Sequence, residues 1–235
     1  MRRDVEPELL DALPPGDPRA IQARQDLRTV NSVMGTARIM ARQLVTAFAG
    51  RAPASLAEVG AGDGTLLLRV AKLLAPRWAG IRVALVDQQG LVSSDTRSAF
   101  AALSWRVETV QTDVFEWLDR PGAPVSDAIV ANLFLHHFEE DNLRRLLRGV
   151  SRQARCFLAC EPRRNRFSLR AAGLLWMLGC NDVTRHDARA SVQAGFRNLE
   201  LSALWPARDG WRLSERAEGR FSHCFIAQRV PMARS

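Results

Sequence analysis

Three glycines, Gly60, Gly62 and Gly64, follow a short apolar stretch and precede a run that is compatible with a helix. A strand, a glycine turn and a helix in that order open a nucleotide-binding βαβ unit, where glycine lets a ligand approach the backbone closely. The spacing departs from the dinucleotide pattern G-x-G-x-x-G, because Thr65 stands where the third glycine would be. Asp63 lies inside the turn, and its carboxylate would oppose a pyrophosphate at the helix N-terminus. The sequence therefore predicts a ligand that places no phosphate at this turn.

The pattern E-x-G-x-G-x-G, which begins at Glu58, resembles motif I of the class I S-adenosylmethionine-dependent methyltransferases. S-adenosylmethionine fits the turn better than a dinucleotide, because it has no phosphate and carries an ammonium and a sulfonium. A glycine turn without any ligand is the alternative interpretation, and three glycines with flanking acids argue against it. The resemblance implies S-adenosylmethionine as cofactor, bound at this turn by Glu58, Gly60, Ala61, Gly62 and Gly64.

Acidic and amide side chains stand at the ends of the next predicted strands. The second strand ends at Asp87, which the resemblance implies to bind both ribose hydroxyls, with Gln88 beside it. After the third strand, Asp113 and Val114 match positions that bind adenine in the resembled family. Asp113 fits the N-cap of a short helix equally well. Asn132, at the end of the fourth strand, completes the implied cofactor set.

Histidines follow the fourth strand, in the segment that the resemblance implies to line the site of methyl transfer. His136 and His137 are candidate bases there, and His186 is a third candidate, in a loop predicted after a long helix. A histidine side chain can take a phenolic proton near neutral pH. Methyl transfer by alignment alone, or with another base such as Glu161, remains an alternative.

Residues 1–50 are predicted to form an N-terminal arm and a helical cap, and residues 51–235 to form one methyltransferase domain. Prolines predict an extended or poorly ordered arm over residues 1–20. Apolar spacing over residues 20–49 predicts two helices with a break at Gly35. The resemblance implies that such helices cover the cofactor and the substrate, although packing on the sheet edge is the alternative for most of their apolar residues. The side chains predicted to contact the substrate are Met34, Arg38, Phe134, Phe138 and Trp176.

Five motifs in order, with plausible βα spacing, predict an α/β fold. It is a doubly wound, mostly parallel seven-stranded sheet with an antiparallel terminal strand and an N-terminal helical cap. A single helix is predicted over residues 163–180. Alternating apolar residues predict the last two strands over residues 196–204 and 220–230, with a turn-rich connection between them.

The formal net charge is +8, with 33 Lys and Arg against 25 Asp and Glu. The arginines are interleaved with acids and no RNA-binding pattern accompanies them, so we expect no specific nucleic-acid binding. The densest cluster, within residues 163–170, is predicted to be a solvated helix face. No apolar run reaches the ~18 residues of a membrane span, and the first residues do not predict a secretory signal.

The four cysteines show no metal-ligand spacing, so no metal is predicted. Buried free thiols indicate a cytoplasmic protein. The sequence leaves the oligomeric state open, a homodimer included.

The segment after the fourth strand lacks the N/D-P-P-Y/F pattern of the amino-methylating RNA and DNA enzymes of the resembled family. The apolar residues of this segment and of the segment after the fifth strand suit an aromatic or lipophilic small molecule, and packing of a helix on the sheet is the alternative for them. We therefore expect O-methylation of a phenol or enol in secondary metabolism. A methyltransferase that acts on RNA or protein is one alternative, and a non-catalytic domain that keeps the fold is another.

Overall fold

The computed structural model describes residues 1–122, 124–206 and 209–230. A seven-stranded sheet in the order β3-β2-β1-β4-β5-β7-β6 runs through the centre. The first five strands are mutually parallel, and β7 is antiparallel to both of its neighbours. The predicted fold class is therefore confirmed. The strands are β1 Ser55–Val59, β2 Arg82–Asp87, β3 Arg106–Gln111, β4 Ser126–Asn132, β5 Ala154–Pro162, β6 Trp211–Glu218 and β7 Ser222–Arg229.

Helices pack on both faces of the sheet. The predicted break between two cap helices is confirmed at Gly35, which adopts the left-handed conformation with φ 67°. Two short 3₁₀ turns, Leu135–His137 and Leu175–Leu178, complete the regular structure of the described residues. The helices are α1 Leu9–Ala12, α2 Pro18–Met34, α3 Thr36–Ala47, α4 Thr65–Leu74, α5 Ser94–Ala102, α6 Val114–Asp119, α7 Glu140–Gln153, α8 Arg166–Ala172, α9 Asp182–Ala194 and α10 Glu200–Leu204.

Two apolar layers hold the helices against the sheet. Helices α3, α4 and α5 cover one face, and α6, α7 and α10 cover the other. Both faces of β4 are therefore buried, which explains why this strand is apolar along most of its length. Helical spacing brings the apolar side chains of α4 to one face, where the buried residues are Leu67, Leu68, Val70, Ala71 and Leu74.

The prediction of one long helix over residues 163–180 is wrong. Helix α8 ends at Ala172, and a 3₁₀ turn follows before Gly179 takes the left-handed conformation. Helix α9 then begins early, because the side chain of Asn181 accepts a hydrogen bond from the amide of Thr184 (2.9 Å). His186 therefore lies on a helix and not in a loop.

The strand predicted over residues 196–204 is also wrong. Residues 200–204 form α10, and the amides of Leu201 and Ser202 donate to the carboxylate of Glu215 on β6 (3.0 and 2.7 Å). Strand β6 begins at Trp211, within the segment predicted as a turn. It is an edge strand with four charged residues, of which Arg212 and Arg216 are exposed, so its alternation of apolar residues is weak.

The N-terminal arm, residues 1–17, packs against the domain, which corrects the prediction of an extended or poorly ordered segment. The amides of Leu9 and Leu10 donate to the carboxylate of Asp187 on α9 (2.8 and 3.0 Å). The guanidinium of Arg3 donates to the backbone oxygens of Phe138 and Ala194 (2.8 Å each). Prolines keep the arm from forming a long helix, and side-chain hydrogen bonds hold it in place.

The sequence predicted that the arginine cluster of residues 163–170 is a solvated helix face, but Arg164 is buried. Its guanidinium is buried, pairs with Glu200 and donates to the backbone oxygen of Gly195 (2.9 Å). A buried guanidinium needs such partners, and here they join the end of β5 to α10.

Gly195 ends α9 beside the end of β5, and a Cβ atom at this residue would lie 2.3 Å from the backbone oxygen of Pro162. We expect Gly195→Ala to lower the free energy of unfolding by roughly 1–3 kcal/mol, because backbone cannot move aside cheaply. Urea denaturation measures the change. Gly16→Ala is the matched control, since a Cβ there meets nothing within 4 Å. Equal stability of the two variants would contradict the close contact.

Candidate functional site

A cleft of about 450 Å³ opens at the carboxyl ends of β1, β2 and β4. The strand order reverses between β1 and β4, and open α/β sheets bind ligands at such a switch point. The arm and α2 cover the cleft from one side, and Ser191 of α9 borders it. The predicted site residues that line it are Glu58, Gly60, Ala61, Gly62, Asp87, Gln88, Val114, Asn132, Phe134, His136, His137 and Phe138.

The three glycines of the turn after β1 all have positive φ, at 67°, 54° and 72°. A Cβ on Gly60 would lie 2.2 Å from the ring of Phe134, and one on Gly64 would lie 2.7 Å from Leu85. These two glycines are therefore required by close packing. A Cβ on Gly62 would meet nothing within 4 Å, so this residue borders open space in the cleft.

The carboxylate of Asp87 is fixed at the rim of the cleft. Its Oδ2 accepts a hydrogen bond from the amide of Gly62, and its Oδ1 accepts one from the amide of Gln89 (2.8 Å each). A carboxylate oxygen can accept more than one hydrogen bond. Asp87 therefore keeps acceptor capacity toward hydroxyl groups of a ligand.

Two buried polar side chains border the cleft with an atom that lacks a partner in the part of the chain that the structure describes. These atoms are Oε2 of Glu58 and Oδ1 of Asn132. Burial raises the pKa of Glu58 well above its usual range, and Asp63 and Asp87 raise it further. A buried group without a partner is costly, so the site fits a ligand that brings a cation and hydrogen-bond donors to this end.

Asp113 is the N-cap of α6, which was one of the two roles predicted for it; the other was adenine binding. Its Oδ1 accepts from the amide of Phe115 (2.7 Å), and its Oδ2 accepts from the side chain of Gln88 (2.7 Å). Asp113 does not line the cleft, whereas Gln88 and Val114 do. Its carboxylate thus orients Gln88 at the cleft edge.

The turn after β4 is held by Glu161, whose carboxylate is fully buried at the end of β5. Its Oε1 accepts from the amides of Phe134 and Leu135 (3.1 and 2.9 Å). Its Oε2 lies 2.8 Å from Nδ1 of His136. With both oxygens engaged and no exposure, Glu161 serves to position this turn.

His136 lies between two carboxylates. Its Nδ1 contacts Glu161, and its Nε2 lies 3.1 Å from Oε1 of Glu8 in the arm. Burial alone would lower its pKa, but hydrogen bonds to Glu161 and Glu8 raise the pKa of His136 to about 9. The ring is therefore protonated near neutral pH and cannot accept a further proton, which disfavours it as a base.

His137 is the histidine that faces the cleft with a partly exposed ring, 26 % accessible over its side chain. Its Nδ1 lies 3.3 Å from Oδ2 of Asp11, and its Nε2 lies 4.0 Å from Oε2 of Glu8. Nε2 is thus outside hydrogen-bond distance of Glu8. A ligand in the cleft can reach this nitrogen.

Sequence reasoning missed the residues that the arm and α2 contribute. The arm supplies Glu8, Leu10 and Asp11, for which the sequence carries no local signal. The α2 residues follow the i, i+3, i+4, i+7 spacing of one helix face, so that spacing could have identified them. They are Arg24, Leu27, Arg28 and Asn31.

Arg28 joins the cap to the glycine turn. Its guanidinium forms an ion pair with Asp63 (2.6 Å), and its backbone oxygen accepts from Arg69 of α4 (3.0 Å). Asp63 also accepts from the amide of Thr65 (2.9 Å), which begins α4. Asp63, the acid inside the turn, therefore connects helix α2 of the cap to the glycine turn.

Besides Gly64 and Asp113, four predicted site residues do not line the cleft. Met34 and Arg38 stand beyond the α2 face that covers it, and the side chain of Arg38 is exposed. Trp176 is 59 % exposed on the 3₁₀ turn after α8. His186 contacts Asp187 and borders a second cleft between α8 and α9, because α9 directs it there.

The strand order, the direction of β7 and the cleft above β1 and β4 define the class I methyltransferase fold. No protein-family model matches the sequence, and no curated protein matches it. Solved structures do match. The chain is similar to the plantazolicin methyltransferase BamL in complex with a triazolic desmethylPZN analog and SAH, with a TM-score of 0.64 and 12% identity over 93% of this chain and 92% of that chain.

Two larger proteins share the fold. The chain is similar to an O-methyltransferase family protein from Burkholderia thailandensis, with a TM-score of 0.62 and 18% identity over 93% of this chain and 62% of that one. It is also similar to the mitomycin 7-O-methyltransferase MmcR, with a TM-score of 0.60 and 22% identity over 94% of this chain and 60% of that one. The chain thus spans less than two thirds of the length of these two proteins.

The pair of Glu8 and His136 makes stability depend on pH. The pKa of His136 is about 9, above its ordinary 6.5, so its contribution is complete below pH 6.5 and is lost as pH rises through 9. The pKa of Glu8 is about 2, below its ordinary 4.5, so its contribution is present above pH 4.5 and is lost as pH falls toward 2. We expect the free energy of unfolding to fall by roughly 1–3 kcal/mol over the alkaline interval.

Urea denaturation across pH measures this dependence, and NMR titration of the imidazole reports the His136 pKa. Glu8→Gln should reduce the alkaline slope, because one of the two carboxylates that stabilise the imidazolium is removed. Glu6→Gln is the matched control, since Glu6 is an exposed acid of the same arm. A His136 pKa near its ordinary value in the unaltered protein would contradict the ion pair.

Proposed function

We propose that this protein transfers a methyl group from S-adenosylmethionine to a small acceptor molecule. The observation that carries the proposal is the pair of buried atoms without a partner beside the glycine turn, Oε2 of Glu58 and Oδ1 of Asn132. A buried carboxylate is stabilised by a cation, and an amide oxygen by a donor. S-adenosylmethionine brings an ammonium to such a site. A dinucleotide would instead bring a pyrophosphate toward Asp63.

The cofactor, when bound, supplies an electrophilic methyl group on its sulfonium. The protein's part is to bind and align the reactants. In this proposal Glu58 holds the ammonium and Asp87 binds the ribose hydroxyls. The hydrogen bonds from the amides of Gly62 and Gln89, which orient the carboxylate of Asp87, support its role. Gln88 and Val114 border the part of the cleft that we assign to the adenine.

The opposite end of the cleft is assigned to the acceptor. Apolar and polar side chains meet there, among them Leu10, Phe138, His137 and Ser191. An aromatic molecule with an ionisable hydroxyl suits this mixture, which supports O-methylation of a phenol or enol. In this scheme Nε2 of His137 accepts the hydroxyl proton, and Asp11 holds the other ring nitrogen in place.

The alternatives are less well supported. Five acidic side chains, those of Glu8, Asp11, Glu58, Asp63 and Asp87, border the cleft, and this excess of acids disfavours a nucleic-acid backbone. The positive charge of Arg28 is engaged by Asp63. A scaffold without a ligand gives no reason to bury Glu58 without a partner.

Gly62→Val should abolish binding of S-adenosylmethionine or its demethylated product, because the new side chain would fill the open space of the cleft. Calorimetry with both compounds and with a nicotinamide dinucleotide measures this. Gly80→Val is the matched control, since Gly80 also has positive φ (72°) and a Cβ there also meets nothing within 4 Å. Backbone strain is then common to both variants. Tight dinucleotide binding by the unaltered protein, with none for the sulfonium compound, would refute the proposal.

His137→Ala should lower kcat by ~10²–10⁴-fold while cofactor affinity stays nearly unchanged, the usual contribution of a positioned base. The loss should shrink at high pH, where a phenol ionises without help. The assay follows formation of the demethylated cofactor across a panel of phenols. His186→Ala is the comparison, because His186 borders the other cleft. If both variants keep the kcat of the unaltered protein at every pH, base catalysis by His137 is wrong.

A further inference from the structure

An exposed apolar patch follows β5, on α8 and the 3₁₀ turn after it. Each of its side chains is between 51% and 66% exposed, an unusual fraction for residues of this size. The eight other large exposed apolar residues of the described chain lie singly, at separate positions from Met1 to Val230. The patch consists of Phe167, Leu174, Trp176, Met177 and Leu178.

Arginines surround the patch. Arg166 and Arg170 stand on α8, and Arg185 and Arg189 stand on α9, which packs beside it. All four are exposed, and none forms an ion pair within residues 1–122, 124–206 and 209–230. No acidic residue occurs from residue 163 to residue 180. Two acids, Glu6 and Asp182, border the groove between α8 and α9. The four arginines outnumber them, so positive charge predominates around the patch.

The proposed reaction does not use this surface, and in the fold the ring of Phe167 stacks on that of Phe221, with 5.6 Å between their centroids. The patch lies outside the main cleft, although Trp176 was predicted to contact the substrate. Contiguous exposed apolar groups of this kind mark interaction sites in water-exposed proteins. We propose that the apolar patch docks on a membrane surface that contains anionic lipid.

The chemistry of the patch fits a lipid interface. Leu, Met and Phe can enter the acyl boundary, Trp favours the headgroup level, and arginines pair with anionic headgroups. Helix α8 has seven residues, and among the described residues no helix combines the length and apolarity needed to cross a bilayer. Contact would therefore be peripheral, with the short helix lying in the plane of the surface.

Charge argues against the main rival, a second copy of the chain. In a two-fold symmetric dimer the same patch faces itself, so the four arginines of one copy would lie near those of the other. Anionic lipid complements the same charges. Nucleic acid would satisfy the arginines but would leave Leu174, Met177 and Leu178 against phosphates.

Helix α9 lies beside the apolar patch and also borders the main cleft. Helix α9 carries Arg185 and Arg189 beside the patch and Ser191 at the acceptor end. Lipid contact would therefore occur next to the element that borders the acceptor. Membrane docking and methyl transfer are independent, because the patch can bind lipid whether or not the protein transfers methyl groups.

Vesicle flotation tests the proposal with the full chain and vesicles of phosphatidylcholine, with or without phosphatidylglycerol. We expect binding to the mixed vesicles, weakened by salt. Trp176→Ser with Met177→Ser should lower partitioning at least about tenfold, since two apolar side chains leave the boundary. Arg166→Gln with Arg170→Gln should lower binding to mixed vesicles by about fivefold per arginine.

The matched control carries Val33→Ser with Leu199→Ser, which removes two apolar side chains of similar exposure elsewhere (63% and 61%). It should bind vesicles as the unaltered protein does, and thermal unfolding verifies that every variant is folded. Absent binding to mixed vesicles, or equal losses in patch and control variants, would overturn the proposal. A dimer in light scattering that only the patch variants dissociate, without vesicle binding, would assign the surface to a second copy instead.

Discussion

The end of the cleft that we propose to hold the acceptor depends on the hydrogen bonds of one buried carboxylate, that of Glu161. A fully buried carboxylate requires donors, and this one receives them from two backbone amides of the turn after β4 and from the ring of His136. The turn cannot move away without leaving a charge unsolvated and unpaired. Strand β5 thereby sets the position of the neighbouring loop, and that loop sets the positions of Phe134, His136 and His137.

The two adjacent histidines show how surroundings divide one residue type into different roles. His136 has a carboxylate at each ring nitrogen and carries a proton that it keeps, whereas His137 has the carboxylate of Asp11 3.3 Å from one ring nitrogen and is partly exposed to the cleft. The sequence predicted a site role for both, and both line the cleft, but no local pattern separates them. The separating partner, Glu8, is 128 residues away from His136 along the chain.

What the sequence could predict was local. The glycine turn, the acid at the end of β2 and the apolar parallel strands follow from short patterns, and the structure places them as expected. The position of edge strand β6 was not predicted, because charged residues interrupt its alternation of apolar and polar residues. The exposure of Trp176 could not be predicted, because a buried and an exposed apolar stripe have the same pattern in sequence. The contribution of the arm could not be predicted, since nothing local pairs Glu8 or Asp11 with a distant histidine.

The docking of the arm has a consequence for the order in which the molecule assembles. Arg3 donates to the backbone oxygen of Ala194, a contact between residues 191 positions apart. The arm leaves the ribosome long before α9, so it must wait for its binding surface, and closing so long a loop is entropically late. It adds no strand to the sheet, so it can detach as a separate cooperative unit. We therefore expect the arm, and the side of the cleft that it covers, to form late and to exchange its amide hydrogens early.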